Sequence, residues 1–455
     1  MGKWAPLVAV CVGAFMLLVD VTIVTVALPD MASDLQASFT GLQWVLDAYA
    51  LALSALVLGA GSLADHIGRR KVYLGGLLVF AVASLVCGIA PGPEVLIIAR
   101  VVQGIGGAAM LATTMALINV TYHGKERGIA LGIWGATIGV AASAGPVLGG
   151  VLTEYLDWRA IFLVNLPISA IAVWLTARAI PESSNPHALG VDVPGVVSFT
   201  VGAGAITYGL ILAGEDGWTA AGTLAWLIGG AVALIVFVVV ELRSDHAMLD
   251  LKLFANPAFT VTLLAAVFMS FSAFAYSPFL SIWLQNGLGM KPLAAGLALL
   301  PMSVASFLVS STVGRHLHSI PARFTIGFGL LGIGVGALLL HTGSSWVAVL
   351  PGLAVAGLGV GVIGQALPGS MMATVPQNRA GMASGALNTF RQLGFALGVA
   401  VLGTVVRGGK EFTSGLEDSF VVAGVSGIVV ALLSVLLIRS RRTVAESGKA
   451  VPAEV

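Results

Sequence analysis

Asp20, Asp47, Arg100 and Arg391 are charged side chains set inside long apolar stretches of this 455-residue chain. A charge in a hydrocarbon setting is expensive and usually marks function, so these four residues are where chemistry is sought first. Burial disfavours an ionised carboxyl and a neighbouring cation favours it. An aspartate within reach of Arg100 can therefore change its proton affinity as water access switches, which makes Asp20, Asp47 and Arg100 the candidates for proton coupling. Asp20 precedes Pro29 by nine residues, about 14 Å of helix, and Asp47 follows Gly41 by six, about 9 Å. Arg100 follows Glu94 by six, so all three are expected in one layer, with Gln103 one turn deeper as a candidate substrate contact. A static ion pair, or an arginine reaching for the interface, is the structural alternative.

Arg391 has no acid near it in the spans of the second half. Asn388, Gln392 and backbone carbonyls are its candidate partners, which reads as a clamp between helices, with contact to an anionic substrate as the other possibility. Phe271, Tyr276 and Phe279 belong to an aromatic-rich run in which Phe268, Phe271, Phe279 and Trp283 fall near one helical face. Such a wall suits flat lipophilic ligands, and lipid-facing phenylalanine is the plain alternative. Gly145 and Pro146 interrupt a span, because proline removes a backbone donor and crowds the preceding turn. They are expected to let that span pack closely and seal one end of a path. GSLADHIGRRK, from Gly61 through Asp65, Gly68, Arg69 and Arg70 to Lys71, places an acid and three cations between two apolar runs. It reads as a turn between helices that anchors topology.

The elements that position these residues follow from composition. Hydrophobic residues make up 58% and charged ones 9%, against about 25% charged in soluble domains, and mean hydropathy is +1.00. Crossing a bilayer takes roughly 20 apolar residues, and the chain divides into fourteen such runs, including 5–29, 43–63, 95–119, 129–152, 258–284 and 382–406. The first is too long for a signal-peptide core and is expected to be retained. Cys11 and Cys87 lie inside runs and predict no disulfide. Sixteen of the 22 lysines and arginines fall in segments on one side and four on the other, which puts both termini in the cytoplasm. A net charge of +1 offers no nucleic-acid surface.

A repeat organises these runs. Gly128, Ala130, Gly132, Gly145 and Gly150 recur as Gly381, Ala383, Gly385, Gly398 and Gly403, which matches the fifth run to the thirteenth and leaves two extra helices between two six-helix halves. The expected units are 1–181, an inserted pair at 182–252, 253–440, and a cytoplasmic tail at 441–455. The inserted pair carries no assigned chemistry. Gly359, Gly361 and Gly364 fit a dinucleotide pattern but lie in an apolar run without the strand that pattern requires.

Four motifs in order resemble the major facilitator superfamily, in its fourteen-helix drug/proton antiporter branch. VDVTIVTVALP around Asp20 is similar to that branch's first-helix signature, and GSLADHIGRRK to the superfamily's loop motif. RVVQGIGGA from Arg100 is similar to the fourth-helix motif, and GVAASAGPVLGGVL, with Gly145 and Pro146, to the fifth-helix motif of exporters. The resemblance spans residues 1–440. It implies an all-α polytopic membrane protein of 6+2+6 helices in which Asp20 takes up protons and Arg100 modulates it. It also implies that Asp65, Arg69 and Arg70 latch the cytoplasmic side.

The expected activity is proton-coupled efflux of amphiphilic small molecules across the plasma membrane by alternating access. A proton-coupled nutrient importer on the same fold is the nearest rival, and a non-transporting sensor the next. No Walker loop, HExxH or metal-ligand cluster stands in the sequence, so no enzyme activity, metal or cofactor is expected beyond the proton as coupling ion. The expected partners are a lipophilic substrate and the bilayer, with the protein a monomer that binds no nucleic acid.

Overall fold

Backbone N–H and C=O groups in a bilayer must bond within their own segment, so apolar runs of this length become helices. The computed structural model describes residues 2–184, 190–244, 247–312, 320–342, 345–376 and 379–438. The tail 441–455 lies outside them, as do Arg315, Arg439, His187, His246, His316 and His318.

The first half comprises α1 (Ala5–Asp34), α2 (Phe39–Ile67), α3 (Arg69–Gly88), α4 (Pro93–Thr121), α5 (Gly124–Tyr155), α6 (Ala160–Leu163) and α7 (Asn165–Ala179). The sixth span is thus broken at Val164. The inserted pair is α8 (Val193–Asp216) and α9 (Ala221–Arg243). Gly202 packs on Leu234 and Gly209 on Leu227, an antiparallel register. The second half comprises α10 (Pro257–Ala273), α11 (Ser277–Ile282), α12 (Pro292–Ala298), α13 (Leu300–Thr312), α14 (Ala322–Leu338), α15 (Leu350–Ala373), α16 (Ala380–Gly408) and α17 (Phe412–Leu437). Among the described residues, thirteen helical segments are long and apolar enough to cross a membrane, and α14 is a shorter apolar helix of 17 residues. The result is an all-helical 6+2+6 architecture.

Local chemistry sets several ends. Ser38 accepts the Gly41 N–H to open α2, Asp192 accepts that of Gly195 to open α8, and Asn256 accepts that of Ala258 to open α10. Proline occupies the first turn of α4, α10 and α12, where its missing donor is harmless. Gly68 joins α2 to α3 at φ +120°, a backbone open to glycine but strained for other residues.

The ninth span corrects an expectation. It is interrupted after Ala273 and ends as a π-helix over Trp283–Gly287, so Phe268 and Phe271 do not continue as one regular helical face into Phe279 and Trp283. The phase shifts where the helix breaks.

The second helix of each half packs on the fifth of the other: α2 runs along α16, and α12 with α13 along α5. This pseudo-symmetric exchange is the spatial form of the glycine repeat. Helix α8 lies against both α2 and α16, with Thr404 donating to the Leu210 carbonyl and Gly59 against Val196. The inserted pair therefore flanks the seam between the halves.

Candidate functional site

Asp20 sits in mid-α1 with no exposure to its surroundings. Arg100 Nη1 on α4 donates to its Oδ2 at 2.6 Å, while Gln103 Nε2 and Asn165 Nδ2 donate to its Oδ1 at 2.8 and 3.0 Å. The guanidinium also donates from Nε to the Val45 carbonyl of α2 at 3.0 Å and from Nη1 to Gln103 Oε1. It lies over the Tyr49 ring, 4.3 Å from its centroid. Ser84 on α3 accepts from Gln103 Nε2 at 2.9 Å and from Asn165 Nδ2 at 3.4 Å. Side chains from five helices thus converge on one buried ion pair. Breaking such a pair by removing one partner strands a charge, at about 3–5 kcal/mol.

The layer predicted from helical rise is present for Asp20 and Arg100. Gln103, expected to meet substrate, is instead fully buried inside this network. Asn165, Ser84 and Tyr49 went unrecognised in the sequence. Their only signal is a polar atom inside an apolar run, which does not say which way it points.

Asp47 is equally buried, but Arg100 does not reach it. Neither of its carboxyl oxygens has a hydrogen-bond partner among the described residues. It shares a face of α2 with Gln43, whose amide donates to the Val399 carbonyl at 3.1 Å, and with Ser54, whose carbonyl accepts from Thr389 at 3.0 Å. That face looks across the seam at α16.

Arg391 corrects a second expectation. No clamp forms: among the described residues it has neither a hydrogen bond nor an ion pair, and Asn388 donates to Ser384 of its own helix. Its side chain is partly exposed rather than sealed.

Besides the α2–α16 contacts, the halves are tied together at the end opposite Asp65. There Gln285 Nε2 donates to the Val26 carbonyl at 2.8 Å and Glu154 accepts the Leu293 N–H at 3.2 Å, while Arg407 of the second half pairs with Glu215 of the inserted α8 at 3.1 Å. Gly145 and Pro146 belong to this closure. A Cβ at Gly145 would strike Thr22 of α1, one at Gly150 the backbone of Leu293, and one at Gly296 the Pro146 carbonyl. The glycines let α5 approach α1 and α12 backbone to side chain. Phe279 is stacked on Phe39 across the same seam, and Tyr276 packs edge-on to Phe420. Phe271, Tyr276 and Phe279 are all buried here, so in this conformation they are part of the plug.

At the Asp65 end the picture differs. Asp65 pairs with Arg69 four residues on, at 2.7 Å, and Arg70 donates to the Ala177 carbonyl. Glu182 accepts the N–H groups of Arg70 and Lys71 at the start of α3, a favourable place for a carboxylate. Gly61 faces Ala112 of α4. None of these contacts reaches the second half. Gly128, Gly132 and Gly135 on α5, and Gly364 and Gly369 on α15, look onto open space. The molecule is closed at one end and parted at the other.

Two six-helix halves that exchange second and fifth helices, with a buried acid on the first helix and a charged hairpin after the second, define a two-lobed membrane carrier. The Major Facilitator Superfamily model matches residues 10–399, and the chain belongs to that superfamily as a multi-pass membrane protein. It is 36% identical to the multidrug resistance protein Stp of Mycobacterium tuberculosis, across 98% of this chain and 83% of that one. It is also 36% identical to the cephamycin export protein CmcT of Amycolatopsis lactamdurans, across 95% and 92%. Among solved structures, the human organic anion transporter MFSD10 superposes with a TM-score of 0.66 at 16% identity, covering 95% of this chain and all of that one, a likeness of fold.

Proposed function

We propose that this protein exports amphiphilic small molecules across the plasma membrane in exchange for protons, by alternating access between its two lobes. The observation that carries the reading is the contrast between two sealed carboxyls: Asp20 held by three donors and Asp47 by none. A proton arriving at Asp20 Oδ2 competes with Arg100 for the same oxygen, so proton uptake loosens the α1–α4 contact. Asp47 sits on the face of α2 that meets α16, where an ionised carboxyl without partners costs far more than a protonated one. Its proton is therefore tied to how the lobes meet. The relatives named as export and resistance proteins support the outward direction.

In this reading the basic end faces the cytoplasm, the opposite end is closed, and the described conformation receives substrate from inside. Residues 1–181 and 253–440 move as the lobes, with 182–252 as the inserted pair. Asp65, Arg69 and Arg70, paired within one lobe here, are free to meet the other lobe when the cytoplasmic side shuts, and Gly145 with Pro146 seals the outer side. The protein works as a monomer in the bilayer, with the proton as its coupling ion. One proton carries about 2.3 kcal/mol per 100 mV and about 1.4 per pH unit, enough for a gradient of a few hundredfold for a neutral substrate.

The test is drug-dependent proton release in everted vesicles from cells carrying wild type, Asp20→Asn or Asp47→Asn. Each substitution is expected to reduce proton-coupled transport at least tenfold while leaving protein levels unchanged. Wild-type coupling in both variants would overturn the proposal.

A further inference from the structure

Among the described residues Arg391 is an uncompensated cation in the middle of a membrane helix, and the packing of α16 shows which way it faces. One stripe of α16 meets α2: Gly385 lies on Leu58, Thr389 donates to Ser54, and Val399 accepts from Gln43. A second stripe meets α10, with Gly394 on Val267 and Gly398 on Phe271. A third flank carries Thr404 against α8 and Phe390 beside Phe254. At about 100° per residue, Arg391 falls between the α10 and α2 stripes, about 40° from the first and about 120° from the second, and away from the α8 flank. Ser384, Asn388 and Phe395 share that sector. It opens between a helix of the first lobe and a helix of the second, which is where the lobes enclose a common space.

Among the described residues, no charge answers Arg391 there. Asp20 is taken by Arg100. Asp47 lies on the α2 face opposite the first stripe, not in the Arg391 sector. The acids of α17, Glu417 and Asp418, belong to its first two turns at the closed end, and Glu417 is bonded to Thr342. Helices α10 to α15 contain no acid at all. An arginine fork fits a planar carboxylate or sulfonate through two parallel hydrogen bonds, and gains most where water is scarce.

We propose that Arg391 binds the acidic group of the transported molecule, which makes the preferred substrates amphiphilic organic anions. The apolar body of the ligand lies towards Phe395. This inference rests on the efflux reading for its physiological meaning. It concerns binding, however, and is tested without a proton gradient.

The full chain in lipid nanodiscs is titrated with three fluorescent probes of one shape: pyrenebutyrate, its neutral amide, and pyrenemethylammonium. Wild type is expected to bind the anion at least tenfold more tightly than the amide, with the cation weakest. Arg391→Gln should remove that preference for the anion and leave amide affinity within about twofold, whereas Arg391→Lys should retain part of it. Equal affinities for the three probes on wild type would overturn the proposal even if no variant folds. A uniform loss across the probes in Arg391→Gln would overturn it too, because it would mark a structural role. Proton release in everted vesicles is scored separately. Anion-selective binding without proton coupling would leave this assignment standing and sink the coupled-efflux reading.

Discussion

Arg100 makes contacts that a smaller or simpler cation cannot reproduce. Its fork engages Asp20 and Gln103 while Nε holds the Val45 carbonyl, so α1, α2 and α4 share one guanidinium. Lysine keeps the charge and loses the planar fork. Arg100→Lys is therefore expected to fold and insert but to lose at least tenfold in transport. Arg100→Ala, which leaves Asp20 without its counter-ion, should be destabilised by about 3–5 kcal/mol, visible as a lowered thermal midpoint in detergent. A lysine variant with wild-type transport would show that charge alone suffices. Asp20 and Arg100 were legible in the sequence because a charge in an apolar run is conspicuous. Asn165 was not, since an asparagine near the end of a span is ordinary until α7 turns it towards α1.

Close approach of α5 to its neighbours sets the closure at the end opposite Asp65. The Gly150 Cα lies where a side chain would meet the Leu293 backbone of α12, so Gly150→Val overpacks the contact by about 1–3 kcal/mol. That penalty falls on the closed arrangement alone, and the helices should part. With Cys11→Ser and Thr40→Cys in place, labelling of position 40 by an impermeant maleimide is expected to rise severalfold when Gly150→Val is added. Unchanged labelling would mean that this glycine only packs. The element pattern itself was largely readable, since helix lengths and the glycine repeat stand in the sequence. The breaks after Ala273 and at Val164 stand within about one turn of Pro278 and Pro167, where a ring crowds the preceding carbonyl and a backbone donor is missing; the sequence thus carries a signal for both, but a proline in an apolar run marks a kink and a break alike.

For the whole molecule, closure at one end and separation at the other imply a specific pair of distances. Gly128 on α5 and Gly369 on α15 both face open space, so spin labels there are tolerated and report the gap at the Asp65 end. Labels replacing Thr40 on α2 and Phe412 on α17 report the opposite end, where Phe39 meets Phe412 edge-on at 6.5 Å between ring centroids. In this conformation the first pair should give the long distance and the second a short, narrow one. Adding substrate with an inward proton gradient should exchange the two populations. A fixed pair of distances under all conditions would rule out rocking lobes.

The sequence by itself determined the solvent, the helical class, the number of spans and the depth of each buried charge. A bilayer forces apolar runs into helices, and a helix of fixed rise turns position along the chain into height within the membrane. Only the tertiary structure decided which aspartate receives the guanidinium, that Asn165 reaches Asp20 from 145 residues away, and that Arg391 has no partner among the described residues. Those outcomes depend on how each helix is rotated about its axis and what packs beside it. That rotation is set by many contacts distant in sequence, and no local run of residues encodes it.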